Sequence, residues 1–567
     1  MTRSALLATL ALTGASLAAP ILVGKSAEGV SLGQTFARDG QSWLVATFMN
    51  ELSLGDSTYV ASLEDFQNPH LVHLDAKGKV RHVLELSRWE EGSTSAANDS
   101  NSISVSDVLT TGDAVWLTGR YSKVLKVGKL AAPTLPTRTN TPFVLKLDLD
   151  LTPVSLQTFA APESSSLTPS RLRQSPTGEM WMTGSFTARR PMTVGSATLP
   201  PLYLGCPFVA RLKSDGSFDT AASLFPVRYD STATRQSSSS LADLRFLPTG
   251  EMLVAGSFSG WLPALGSDTA KRTSTSPFFA RLRKDLSTAW ITSSQRRDST
   301  SGQSAPVNLQ LGRDGALWAG ISYRTNLVLD SARGFVFPTG TRGAALLKLD
   351  TATGRIDTGW NVYSDKALTL SGISLVGDSL WLHGSFTSRL SADLGAGSVT
   401  STDTTNTDGW AARFTGSGLA GHRFLTGSGT GVVSRIFTGT EGQPVFLGTN
   451  VSSAKLGTDT IDVGTSTLGS FWVAGIDTAT KDTSSSTGIS ASVSKTGFRL
   501  VSGGVLVQGA KVGSLAQWRG IDGRLLLSVT VPENRIVSRP RSGGLQLLRI
   551  EDEQGGHALL RLTEVQR

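Results

Sequence analysis

The sequence predicts an all-β protein, a single β-propeller of four-stranded antiparallel blades. Three observations carry that reading. A strand with a glycine near its end recurs along the chain at intervals of 61 to 73 residues. That strand is apolar on both faces. Short strand-like segments are separated by Gly-, Asp- and Pro-rich turns, and no long stretch has a helical period. Self-similarity at a fixed period of this length marks propellers, solenoids and arrays.

The recurring strand places Ala46, Gly119, Gly184, Gly256, Gly320, Gly384, Gly448 and Gly509 in one slot. Three residues earlier stand Trp43, Trp116, Trp181, Leu253, Leu317, Trp381, Val445 and Leu506. Two residues earlier stand Leu44, Leu117, Met182, Val254, Trp318, Leu382, Phe446 and Val507. Successive side chains of a strand point to opposite faces, so both faces need cover. A sheet stacked between two similar sheets supplies it. The glycine fits a close approach between chains or a bend.

A turn precedes each of these strands. It is Arg38-Asp-Gly40, Gly112-Asp113, Thr177-Gly178, Thr249-Gly250, Asp314-Gly315, Gly377-Asp378, Glu441-Gly442 and Gly503-Gly504 in order. Such residues tolerate the positive φ of tight hairpins. A leading strand lies before the turn, exemplified by Thr168 to Gln174. A third strand follows 25 to 29 residues after the glycine slot, with a basic residue between apolar ones: Lys146, Arg211, Arg281, Lys348 and Arg413, and His73 in the first unit. The long basic stems are expected to cover apolar surface while their heads reach water or an acid on the next blade. A fourth strand, such as Phe218 to Val227, completes the meander.

Seven units carry both recurring strands, over roughly residues 30 to 480. A shorter eighth lies near 487 to 530, with strand-like Gln517-Trp518-Arg519, and 534 to 567 offers up to three more strands. The count favours eight blades, with seven and nine also compatible. Residues 19–567 are read as one propeller, with degenerate repeats and ring closure in 481–567. Pro20 to Val23 is a candidate for the strand that closes the ring.

The first residues read differently. Arg3 precedes a short apolar run, Ala5 to Leu12, and Ser16-Leu17-Ala18 forms a small-x-small cleavage site. This is the pattern of a secretory signal peptide, residues 1–18, cut after Ala18. The run is too short to span a bilayer. The location expected is therefore secreted, periplasmic or cell-surface. Cys206 is the lone cysteine, so no intramolecular disulfide forms, and a buried thiol is expected. The formal charge of +8 is spread over 567 residues without a basic run, which argues against a nucleic-acid partner.

Units such as Gly178-Glu-Met-Trp-Met-Thr-Gly-Ser-Phe186, followed by Thr193-Val-Gly-Ser-Ala-Thr-Leu199 and Pro207-Phe-Val-Ala-Arg-Leu-Lys-Ser-Asp-Gly216, resemble bacterial β-propeller repeats of the SBBP and delta-60 types. Those repeats occur in secreted and surface proteins. The resemblance implies the fold and an extracytoplasmic setting. It implies no shared reaction and no catalytic residue, because function belongs to sites grafted on folds.

Chemistry is sparse in the sequence. The six histidines show no zinc spacing, and His70-x-x-His73 is the nearest pair. His383 is expected to be a packed histidine. Asp148-Leu-Asp150 and Asp350-Thr-Ala-Thr-Gly354 lack a full calcium loop and read as hairpin turns. Leu349 to Arg355, with Trp360 following, has some likeness to a quinoprotein docking motif but occurs once. No metal and no cofactor is expected.

A propeller ligand would sit where the leading strands line the central channel. Aligned by their turns, those strands place Ser106, Arg171, Asp243, Asn308 and Ser371 at one depth. The leading functional expectation is an exported, non-enzymatic binding or scaffold module of the cell envelope, monomeric, with an envelope protein or polysaccharide as partner. A glycan lyase or hydrolase with its site at the channel mouth is the first alternative, and a purely structural envelope component the second. Ser/Thr-rich segments at 92–106, 232–240, 396–407 and 478–494 fit exposed loops.

Overall fold

A computed structural model describes residues of this chain between 22 and 562. Outside the described residues lie 1–21, 61–67, 88–101, 226–237, 261–271, 294–303, 331–334, 338–341, 393–397, 401–406, 462–469, 476–496, 563–567 and shorter segments along the whole chain. The signal-peptide reading and Gly509 fall there, as does most of the Ser/Thr-rich sequence. The chain divides into two compact units. The first comprises residues 1–329, 337–390 and 400–483, and the second 330–336, 391–399 and 484–567.

The first unit is a β-propeller of seven blades, within the expected range and one short of the favoured count. Six blades are sequential four-stranded meanders. Blade 1 is Val30–Arg38, Gln41–Phe48, Asn68–Leu74 and Val80–Glu85. Blades 2 to 6 begin at Ile103, Ser166, Ser238, Ser304 and Ala367. Blade 7 takes Gly431–Thr438, Pro444–Asn450 and Ser470–Gly475 from the end of the repeat array. Its fourth strand is Leu22–Lys25, paired antiparallel with Leu22 opposite Val473 and Gly24 opposite Phe471. The two ends of the array are thus joined by a backbone ladder, close to the expected closing segment. The first strands of successive blades touch all the way round, blade 7 meeting blade 1.

The apolar double face of the second strand is explained by the cores. Each core lies between two blades. Trp116 and Val144 of blade 2 pack with Leu172, Met182, Phe186 and Phe208 of blade 3. Leu44, Phe48 and Val72 of blade 1 pack with Phe437, Leu447 and Val473 of blade 7. Full burial of each such large side chain contributes about 1.5–3 kcal/mol. Cys206 is buried within the strand Leu202–Leu212, as expected of an inert thiol.

The glycine slot has a definite physical cause. Gly119, Gly184, Gly256, Gly384 and Gly448 each pair with an aromatic residue of the third strand: Phe143, Phe208, Phe278, Trp410 and Trp472. At Gly184 an added Cβ would lie 2.2 Å from Thr168 O and 2.6 Å from the Phe208 ring. Blade 5 departs from the sequence alignment by one residue. Trp318, not Leu317, faces Lys348 as Trp116 faces Lys146, and Ile321, not Gly320, holds the glycine slot. The residue opposite Ile321 is Ala345. The volume is kept and its direction reversed: five blades use glycine and an aromatic, and blade 5 uses isoleucine and alanine.

Gly178, Gly250, Gly315 and Gly377 have φ between +59° and +87°, as the turns predict, whereas Gly112 and Asp113 in the blade 2 turn do not have positive φ. The basic residues of the third strand use partners different from those expected. Arg211 pairs with Glu179 and Asp219, Arg281 with Glu251 and Lys348 with Asp314, all acids of their own blades. What Lys146 and Arg281 reach on the following blade are carbonyls, those of Ser214 and Thr351.

In the second unit, described at the level of its backbone, Gly497–Val501, Gly504–Gln508 and Ile536–Ser538 form one sheet. A second sheet has the order Leu525–Thr530, Leu515–Gly520, Gln546–Glu551, His557–Leu562. In a blade the strands lie in chain order. Here the strand that comes second in sequence takes the edge, so this sheet is no meander of the propeller type.

The compensation in blade 5 is testable by a double-mutant cycle. Ile321→Gly should destabilise by about 2–5 kcal/mol as a large-to-small change, and Ala345→Phe by about 1–3 kcal/mol through overpacking. The double variant should recover at least about 1 kcal/mol relative to their sum in urea unfolding. Strict additivity would refute the exchange.

Candidate functional site

Every first strand of the ring carries a β-bulge. The register skips between Leu32 and Thr35, Val105 and Asp107, Pro169 and Arg171, Leu241 and Asp243, Pro306 and Asn308, Leu370 and Gly372, and Val433 and Arg435. A bulge bends its strand and re-aims a side chain. The residue just after the skip is therefore the repeated channel position. Arg171, Asp243 and Asn308 of the expected set occupy it. Ser106 and Ser371 are instead the skipped residues, and Asp107 and Gly372 take the position.

Most residues at this position join one blade to the next. Asp107 Oδ2 accepts the N–H of Leu172 at 2.8 Å, and Asp243 Oδ2 that of Leu309 at 2.9 Å. Asn308 accepts the N–H of Ile373 and donates to its carbonyl, both at 2.8 Å. Arg171 donates through Nε to Ala242 O at 3.2 Å. Blade 6 has Gly372 at the position, and the residue opposite, His383, makes the link: its Nδ1 lies 3.3 Å from Val433 O. Its Nε2 lies 3.3 Å from Ser374 Oγ. These contacts satisfy backbone groups on strand edges that face the channel.

Inside the ring of first strands is a cavity of about 440 Å³. Arg171, Asp243, Asn308 and Ser371 line it. Ser106 does not, but its carbonyl accepts from Arg171 at 3.5 Å. The lining also includes Asp107, Arg173, Arg245, Gln310, His383 and Arg435, which the turn-based alignment did not select. Arg435 was legible, standing seven residues before Gly442 as Asp243 stands before Gly250.

The charges form a network across three blades. Arg173 donates to Asp107 Oδ2 at 2.9 Å and to Asp243 Oδ1, bridging blades 2 and 4 from blade 3. Arg245 lies 3.3 Å from Asp243 Oδ2. Burial pushes the Asp243 carboxyl up, but Arg173, Arg245 and Arg171 outweigh it and hold the group at about 2. Burial lowers the Arg245 guanidinium to about 10 although Asp243 opposes this. At Arg173, burial is outweighed by Asp243 and Asp107, and its affinity for the proton rises. Burial, aided by the charge of Arg435, drives His383 down to about 3, so the imidazole is neutral.

The remaining sequence candidates are structural. His70 stacks on Phe48 at 4.0 Å, and His73 stacks on Trp43 at 4.8 Å. Asp148 Oδ1 accepts the N–H groups of Asp150 and Thr152, and Asp350 Oδ1 that of Ala352, as in hairpin turns. Gly354 packs on Trp290 of blade 4, whose Nε1 donates to Thr351 O at 2.9 Å. Among the described residues, no group of three or more His, Cys, Asp or Glu is placed to hold a metal ion, and no helix is long and apolar enough to cross a membrane.

No protein-family model and no curated protein matches the chain. Solved structures that match the chain include the following two. One is PorZ, an essential bacterial surface component of the type-IX secretion system of Porphyromonas gingivalis. It is 9% identical with a TM-score of 0.25, the match covering 93% of this chain and 69% of that one. The other is the polysaccharide lyase Uly1, 10% identical with a TM-score of 0.40, covering 78% of this chain and 89% of that one. Likeness at this level bears on neither activity nor partner.

Acid should expose both buried groups in separate windows. A group with a depressed folded pKa stabilises fully above its unfolded value and less as pH falls toward the folded one. His383 should therefore cost stability from pH 6.5 down to about 3, at about 1.4 kcal/mol per pH unit. Asp243 should add a loss on the order of 2 kcal/mol between pH 3.8 and about 2. His383→Gln should flatten the thermal midpoint between pH 6.5 and 4, leaving the steeper acid limb. An unchanged profile would show that His383 is not the neutral group.

Proposed function

We propose that the chain is an exported, non-enzymatic binding module whose ligand enters the central channel. The observation that carries the reading is the channel cavity, walled by polar and charged residues that differ from blade to blade while the rest of the repeat stays regular. A volume near 440 Å³ suits one sugar unit or a side chain of a partner. The carboxylates of Asp107 and Asp243 are each occupied by an arginine and a backbone N–H. His383 has both ring nitrogens engaged. None of these groups is offered to a substrate as base or acid, which favours binding over the glycan lyase or hydrolase alternative.

The extracytoplasmic setting rests on Arg3, the apolar run 5–12 and Ser16-Leu17-Ala18, and on the resemblance of the repeats to SBBP- and delta-60-type propellers of secreted and surface proteins. The partner in this reading is an envelope protein or polysaccharide, met by a single copy of the chain.

Two measurements test this. Mass spectrometry of the exported protein should find a mature N-terminus at Ala19, and a chain kept in the cytoplasm with Met1 would refute export. Ser371→Trp should fill the cavity and weaken capture of envelope polysaccharide or protein at least tenfold. Turnover of a captured glycan that Ser371→Trp abolishes would refute the non-enzymatic reading.

A further inference from the structure

The repeated channel position is spent on blade-to-blade links in blades 2, 3, 4 and 5, and His383 supplies the link in blade 6. Blade 7 breaks the pattern. Its residue at that position is Arg435, paired with Leu447 through the backbone ladder, and no hydrogen bond or ion pair joins its guanidinium to any described residue. Arg435 lines the cavity and is part-exposed. Small residues leave room beside it: Ser371 and Gly372 of blade 6, Gly33 of blade 1 and Ser434 of its own strand all line the same space.

The surrounding charge does not neutralise it. The lining holds Arg171, Arg173, Arg245 and Arg435 against Asp107 and Asp243, with His383 neutral. Asp107 and Asp243 are already bound by Arg173 and Arg245. Burial lowers the Arg435 guanidinium from its ordinary value, and crowding by Arg171 and Arg173 lowers it further, against the opposing pull of Asp107 and Asp243. A fold gains nothing from an unpaired guanidinium held beside two others. A bound anion would relieve that repulsion and use the fork of donors that matches an oxyanion.

We propose that Arg435 anchors an anion-binding site in the channel, taking an oxyanion group of the ligand: the carboxylate of an acidic sugar or peptide, or a sulfate or phosphate group. This rests on the channel being the binding site and adds the class of ligand. The excess of arginine over aspartate in the lining attracts anions, so the site should act on encounter as well as on affinity.

The test is a thermal-shift and calorimetric titration of the mature chain with glucuronate, glucose, sodium phosphate and sodium sulfate at matched ionic strength. Glucuronate, phosphate or sulfate should raise the midpoint and bind at least tenfold more tightly than glucose, and the ranking of the three tells carboxylate from phosphate and sulfate. Arg435→Gln should abolish the anion-dependent rise while leaving the ligand-free midpoint unchanged or higher, because it removes a repelled charge and no contact. Lys348→Gln, on an outer strand, should leave anion binding intact. A lower ligand-free midpoint in Arg435→Gln would assign the residue to the architecture and overturn the proposal. Glucose binding as tightly as glucuronate, lost in Ser371→Trp but not in Arg435→Gln, would overturn the anion inference and leave the channel as the site. No binding of any probe would overturn both.

Discussion

The first strand of each blade faces the channel with a row of backbone N–H and C=O groups and no fifth strand to pair them. An open edge of this kind is costly to leave unsatisfied and prone to wrong pairing. The chain places a bulge in every first strand, and in blades 2 to 5 the side chain after it turns sideways onto the backbone of the next blade. Asp107, Asp243 and Asn308 accept a neighbour's N–H, and Arg171 donates to a neighbour's C=O. In blades 2 to 6 these links run to the blade that follows. The ring is therefore tied at its hub by polar contacts and between its faces by apolar cores.

The same bulge explains the glycine that gives the sequence its period. At Gly119, Gly256 and Gly384 the carbonyl that would strike an added Cβ belongs to Ser104, Ser240 or Thr369, the residue immediately before the one the glycine pairs with. On the other side a third-strand aromatic covers the glycine. Backbone bend and ring together leave no room for a side chain. Blade 5 reaches the same packing with Ile321 and Ala345, so the period records a volume summed over two strands and not a demand for glycine itself.

This distinction separates what could be read in the sequence from what could not. Fold class, strand sequence and turn positions were legible because each depends on local residue type repeated many times. The blade count was not: the eighth repeat-like unit lies in a second compact unit with a different strand order, and no residue type announces pairing order. The position just after the bulge was missed by one residue at Ser106 and Ser371, although Ser371 lines the cavity, because a bulge adds a residue without altering the apolar pattern on either side. Trp318 was assigned to the wrong face for a related reason, since Leu317 and Trp318 are both apolar and Gly320 imitates the slot glycine. Charge pairing was hidden altogether. Arg173 meets Asp107 and Asp243 across three blades, at separations of 66 and 70 residues.

Blade 7 differs from the others in how it is held. Its fourth strand, Leu22–Lys25, comes from the far end of the array, and the ladder it forms with Ser470–Gly475 ties the beginning of the propeller to its end. The core it shares with blade 1 adds Phe437, Leu447 and Val473 against Leu44 and Phe48. A backbone ladder is a stronger constraint on this junction than one side-chain contact at the hub. The inner position of blade 7 is thereby released from the linking role that its equivalents in blades 2 to 5 perform. A propeller closed in this way has one hub position where a charged residue can be kept for something other than closure, and the residue found there is Arg435.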